Sequence, residues 1–383
     1  MKAEFVERVR SRVASVGNEI TFATVADAIR DEASGVVGDR DVLAAIRLLH
    51  QEFEGAGPLE PLLRDPGTTD VLVTAPDEVW VEGPRGLRKS EVRFPDEHSV
   101  RRLAQRLASA AGRRLDDAQP YVDAWLPGSG GLSRVRLHAV LPPIAPNGTC
   151  LSLRVLRPAV HDMAALCRFG TVDEEGASLL QAIIDARLAF VVVGGTGSGK
   201  TTLLGAMLGC VPGHERIVCV EDAGELAPNH PQFVRLIARP PNIEGAGGVT
   251  VRDLVRQALR MRPDRLVVGE VRGAEVVELL TSLNTGHDGS AGTLHANSPA
   301  EVPARFEALA ALGGLARSAL HSQLSAAIQL VLHMRRHHDS RRLTEISTLH
   351  RTPANFVTVK TLWRPGEPPP TLKTLRALHG ANR

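Results

Sequence analysis

The stretch FVVVGGTGSGKTTLL, residues 190–204, constrains the chain more than any other. The apolar run from Phe190 to Val193 reads as a buried strand, and Lys200 onward reads as the start of a helix. Between them Gly194 and Gly199 bracket Gly195, Thr196, Gly197 and Ser198, and Lys200, Thr201 and Thr202 follow at once. Glycines at that spacing let backbone N–H groups converge on phosphate oxygens, and the helix N-terminus adds the positive end of its dipole. Lys200 can then reach the β and γ phosphates and the Thr201 hydroxyl can ligate Mg²⁺, so ATP and Mg²⁺ are the expected ligands. A glycine turn that binds nothing is the bland alternative, and the strand, loop and helix context argues against it.

Two further apolar runs end in acidic residues. RIVCVEDAGEL places Glu221, Asp222 and Glu225 at one strand tip, and RLVVGEVRG places Glu270 at another. Ligands of an open parallel sheet bind beyond the carboxyl ends of its strands, so these carboxylates are expected beside the glycine loop. Phosphoryl transfer to water needs a carboxylate to orient or deprotonate the water, and acidic ligands to complete the Mg²⁺ shell. Glu270 takes the first role in this reading. Such a strand ordinarily ends in Asp, but Gly269 precedes Glu270 here, so Glu221 and Asp222 are expected to share the metal shell with Thr201. NTGHDGSAGTLHANS contributes His287 and His295, with TLHAN as a strand after a glycine-rich loop. A histidine there can hydrogen-bond the γ-phosphate and report its loss, or simply be satisfied by backbone. Arg252, Arg256 and Arg260 recur every four residues along an amphipathic run, either as a solvated face or as arginines supplied to another subunit.

At 383 residues and 43% apolar content, the chain can bury two separate cores. Residues 1–56 read as a helical extension, with Val42, Leu43, Ile46, Leu49 and Phe53 at helical spacing. Residues 57–157 read as a small α/β domain, with TDVLVT, EVWVEG, SRVRLHAVLPP and CLSLRVL as strands and EHSVRRLAQRLASAAGRRL as an amphipathic helix. Alternation in the last two strands turns Val135, Leu137, Ala139, Leu151, Leu153 and Val155 to one face and Arg134, Arg136 and Arg154 to the other. A linker at 158–170 leads into a P-loop, RecA-like domain at 171–383, whose mostly parallel sheet is covered on both faces. The 45 Lys and Arg nearly balance 43 Asp and Glu, for a net charge of +2, so no concentrated basic field marks a nucleic-acid binder. Cys150, Cys167, Cys210 and Cys219 show neither CxxC pairing nor zinc spacing, which suits a reducing, cytosolic compartment. No apolar run approaches the ~18 residues of a spanning helix.

GGTGSGKTTLL, VCVEDAGEL, RPPNIEG…VTVRDLVRQALRMRPDRLVVGEVRG and NTGHDGSAGTLHANSPAE together resemble the type II/type IV secretion ATPase family. Within it the Tad/Flp pilus branch, the CpaF-like ATPases, is the best match, and GPLEPLL, TDVLV and SRVRLHAVLPP extend the likeness over residues 57–350 or so. The resemblance assigns Walker A to Lys200 and Thr201, an Asp box to Glu221 and Asp222, an atypical Walker B to Glu270 and a His box to His287 and His295. It implies a homo-hexamer of two-domain subunits, cytoplasmic and peripheral at the inner face of the cell membrane. There it would sit beneath an inner-membrane platform protein and convert ATP hydrolysis into pilus assembly or secretion. Family members also bring arginines of the N-terminal domain to the nucleotide, at positions that match Arg134 and Arg154. Where the family reads DGSRVN this chain reads GGLSRVRL, without the Asp and with Arg136 in place of the Asn.

Two other functions compete. A DNA translocase or helicase on the same fold needs a basic channel and stacking aromatics, against which stand the balanced charge and a content of one Tyr, three Trp and nine Phe. A nucleotide-gated binding module that hardly turns over is disfavoured by Glu270 at its strand tip.

Overall fold

The computed structural model describes residues 55–126, 134–156, 161–242, 244–337 and 340–381. The expected helical extension lies almost wholly outside these residues, as do the approach to Arg134 and the start of the expected linker. The chain divides into two compact units, Met1–Arg157 and Pro158–Arg383.

The first unit holds β1 (Asp70–Ala75), β2 (Glu78–Gly83), β3 (Gly86–Lys89), β4 (Tyr121–Leu126), β5 (Arg134–Val140) and β6 (Cys150–Leu156). They form one antiparallel sheet in the order β3-β2-β1-β6-β5-β4. A short helix α1 (Glu60–Arg64) precedes it, and α2 (Glu97–Ala110) lies against β4 and β5. Asp96 caps α2 by accepting from the Ser99 N–H at 2.7 Å, and Val100, Leu103, Ala104 and Leu107 bury its apolar stripe. Along β5 and β6 the six aliphatic residues expected in the core are buried, while Arg134, Arg136 and Arg154 are not. Each buried aliphatic contributes roughly 1.5–3 kcal/mol on leaving water, and a one-residue slip would exchange them for arginines, so the core sets the register.

The second unit is built on β7 (Phe190–Gly194), β8 (Ile217–Glu221), β9 (Phe233–Ile237), β10 (Arg265–Val271), β11 (Ala291–His295), β12 (Leu330–His337), β13 (Ser340–Arg351) and β14 (Val357–Trp363). Their order is β14-β13-β12-β7-β11-β10-β8-β9; the six strands from β12 to β9 run parallel, and β13 and β14 add on antiparallel. Helices α3 (Met163–Arg168), α4 (Glu174–Asp185), α5 (Lys200–Gly209) and α10 (Leu372–Ala381) feed one core. Helices α6 (Val251–Ala258), α7 (Val276–Leu283), α8 (Val302–Leu312) and α9 (Arg317–Ala327) feed the other. The unbroken apolar run of β7 follows from this sandwich: Phe190 and Val192 enter the first core, Val191 and Val193 the second. None of the described helices is long and apolar enough to cross a membrane.

Candidate nucleotide site

At the carboxyl end of β7 the chain turns through the glycine loop into α5, whose N-cap is Gly199. Gly194 has φ 151, and a Cβ there would stand 2.3 Å from Met334 O of β12 and 2.6 Å from Ser198 Oγ. No side chain fits, so the loop can begin its turn only at a glycine. Lys200 folds back on the loop, its Nζ donating to Gly194 O and Gly195 O, each at 3.0 Å. Burial holds the Lys200 ammonium below its ordinary pKa; Glu270 is the largest opposing charge, followed by the like charge of Arg272 and then by Glu225. These groups therefore share one neighbourhood.

Glu221 ends β8 and is buried. Its Oε1 accepts from the N–H groups of Glu225 and Leu226, both at 3.0 Å. Its buried Oε2 finds no hydrogen-bond donor among the described residues; Arg235 Nε, at 3.6 Å, is an ion-pair neighbour beyond hydrogen-bond reach. Burial raises the Glu221 pKa from 4.5 to about 7, against the pull of those two N–H groups and Arg235. Glu221 also explains Gly269: a Cβ at that position would lie 2.6 Å from Glu221 Cγ. The side chain that an ordinary Asp would place at 269 is sterically replaced by the Glu221 carboxylate arriving from the adjacent strand. Between Val268 and Val271, β10 carries one residue more than β11, and Glu270 sits on this bulge, paired with Arg272. Bulges of this kind re-aim side chains beside active sites.

Thr201 Oγ1 donates to Glu225 Oε2 at 3.4 Å, so Glu225 is an acidic partner of that hydroxyl. The sequence singles Glu225 out at the strand tip but assigns the metal to Glu221 and Asp222; Asp222 is exposed. His295, the last residue of β11, is in register with Gly194 of the loop. His287 is not. It precedes β11, at the amino end of the sheet, with Nδ1 3.1 Å from Ser282 O. The length of β11, roughly 13 Å at 3.3 Å per residue, separates it from the loop within this unit. In the helical arginine row, Arg252 and Arg256 both donate to Glu278 Oε1 of α7, each at 2.7 Å.

In the first unit, Arg154 Nε donates to Asp70 Oδ1 at 2.9 Å, and Arg136 makes a forked pair with Asp123. Arg134 lies over the Trp125 ring, 5.5 Å from its centroid. Each of the three has a partner within the first unit.

A glycine cradle at a helix N-terminus, a lysine on the loop carbonyls, a buried Ser198 Oγ without a partner and the spare oxygen of Glu221 fit a nucleoside triphosphate with its divalent cation. Together with the strand order they define the second unit as a RecA-like P-loop domain. Residues 52–362 match the family described as Type II/IV secretion system protein. The chain belongs to that family, the type II/IV secretion system ATPases. A Mycobacterium tuberculosis protein named for conjugal transfer is 66% identical over 330 residues, 86% of this chain and 94% of the relative. Type IV secretion system protein PtlH of Bordetella pertussis is 32% identical over 267 residues, 63% of this chain and 76% of the relative. Among solved structures the pilus retraction motor PilT with bound ADP has the same fold, at TM-score 0.52 and 21% identity, covering 83% of this chain and 84% of that one.

Proposed function

We propose that this chain is an ATP-hydrolysing motor subunit that powers Tad/Flp-type pilus assembly or secretion, working as a cytoplasmic homo-hexamer against an inner-membrane platform protein. The observation that supports it best is the gathering of Lys200, Thr201, Glu221, Glu225 and Glu270 around one glycine loop. In this reading the N–H groups of residues 194–202 and Lys200 bind the phosphates. Thr201, Glu221 and Asp222, with Glu225 beside them, hold Mg²⁺, which neutralises phosphate charge when bound. Glu270 accepts a proton from the water that attacks the γ-phosphate, and His295 hydrogen-bonds the phosphate that leaves. Arg134 and Arg154 of the first unit supply guanidinium forks to the developing charge.

Steady-state phosphate release with Mg-ATP tests the core of the proposal. Lys200→Ala should abolish turnover by weakening nucleotide binding, and turnover at the wild-type rate in that variant would remove the loop from the mechanism. Arg154→Ala should slow turnover far more than it weakens ATP binding, and Arg154→Lys should rescue it poorly. Light scattering with Mg²⁺ and an ATP analogue tests the hexamer, and a pull-down from membranes tests the platform. The name of the mycobacterial relative favours a second reading, transport of DNA. That reading requires turnover stimulated by DNA and suppressed by salt, which the near-neutral charge of this chain does not favour.

A further inference from the structure

The hairpin of β12 and β13 touches the glycine loop from 144 residues away, through a contact that plays no part in the roles above. Arg341 Nε donates to Gly197 O at 3.0 Å, and its Cδ lies 3.2 Å from where a Cβ on Gly199 would stand. Across the strand pair Arg336 is the register partner of Arg341, and its Nη1 comes within 3.4 Å of the corresponding point at Gly197.

Gly197 O belongs to the same peptide unit as the N–H of Ser198. A loop that turns its N–H groups toward an anion turns carbonyls outward, and Arg341 holds one of these carbonyls. A charged donor on that oxygen draws electron density through the amide and makes the Ser198 N–H, which here donates to Gly195 O at 3.3 Å, a better donor. It also fixes the loop before ligand arrives, which lowers the entropic cost of binding. We propose that Arg341, paired with Arg336, is a positioning residue that braces the phosphate-binding loop from its outer side and sets nucleotide affinity.

The proposal rests on the reading of the loop as the nucleotide site, and a binding titration separates the two. Mg²⁺ and a fluorescent ADP analogue are titrated into the full chain and into Arg341→Ala, Arg341→Lys and Lys200→Ala, at low salt and at about 0.5 M salt. Arg341→Ala should weaken binding about tenfold, the scale of one charge-assisted hydrogen bond. Most of that loss should persist at high salt, which screens separated charges but not a direct bond. Arg341→Lys should recover less than half of the loss, since a point charge does not reproduce the Nε geometry. Wild-type affinity in Arg341→Ala, or a loss that vanishes at high salt, overturns the brace. Should Arg341→Ala fail to fold, Arg341→Lys decides, and wild-type affinity there overturns it equally. Lys200→Ala is the control on the site itself: unchanged binding in that variant sinks the nucleotide reading, whereas loss there beside an unaffected Arg341→Ala sinks only the brace.

Discussion

The two ends of the parallel strands in the second unit both gather charge, and they handle it in opposite ways. At the amino end Arg265, 1% exposed, donates to Glu215 Oε2 at 2.7 Å and to Ile184 O at 2.9 Å, while Arg187 takes the other Glu215 oxygen at 3.0 Å. At the carboxyl end Glu221 Oε2 and Ser198 Oγ are buried without a hydrogen-bond partner, and Lys200 rests on two loop carbonyls. A buried ion pair whose members are saturated by protein groups acts as structure; buried polar atoms with spare capacity await something else. Charge density alone would not have told the two ends apart. The amino end is not wholly satisfied either, since Arg216 Nε is buried there without a partner, but at the carboxyl end the unmet Ser198 Oγ and Glu221 Oε2 belong to the glycine loop and the strand tip beside it.

That contrast can be broken by mutation. The largest expected effect is at the carboxyl end: Glu270→Gln should lower turnover ~10²- to 10⁴-fold with ATP binding largely retained. Phosphate-release kinetics beside nucleotide titration measure it, and a wild-type rate would show that another group activates water. Next, Arg265→Ala strands Glu215 in the core with only Arg187, and should cost about 3–5 kcal/mol in urea unfolding. Folded Arg265→Ala should still bind nucleotide, because the glycine loop lies at the opposite end of the strands.

Glu221 sharpens the contrast through pH. With its folded pKa near 7 and an ordinary value of 4.5, the folded chain keeps a proton that the unfolded chain has lost between those two values. Stability is therefore fully present below about 4.5 and declines as pH rises toward 7, by an amount on the order of 3 kcal/mol. Glu221→Gln should flatten that slope in thermal melts from pH 5 to 8 while impairing Mg²⁺-dependent turnover. An unchanged slope would mean that the buried carboxyl titrates normally. The smallest effect is expected at His287, whose ring meets only backbone among the bonds described: His287→Ala should change turnover by less than about twofold and stability by about 1 kcal/mol or less. A large kinetic loss there would show that the amino end also serves the reaction.

Contiguity decided how much of this was legible in the sequence. The glycine loop needs a strand, eight residues and a helix start in one stretch, so it reads directly. The tips of β8 and β10 were readable as well, because a parallel sheet sends carboxyl ends to one side. His287 stands eight residues from His295 in the chain, yet a whole strand comes between them in space, a separation that the motif's spacing does not announce. The strands β3 and β4 escaped notice: β3 is mostly exposed, and β4 alternates only weakly, as YVDAWL. The Arg341 contact depends on a pairing of distant segments that no local pattern announces. The glycine inside the apolar run of β10 did carry a signal, since a glycine within a strand marks a bulge or a close approach, and both occur at Gly269.

Gly269 and Glu221 occupy one another's space, and this bears on how such a site can change over generations. With only 2.6 Å between a Cβ at 269 and Glu221 Cγ, an aspartate has no room at 269 while the glutamate stays. Removing Glu221 first would leave the strand tip with no inward carboxylate, and so with a crippled intermediate. The two layouts of acidic residue are thus neighbours in chemistry but not in mutational steps, and a lineage that has adopted the arrangement seen here is held in it by its own packing.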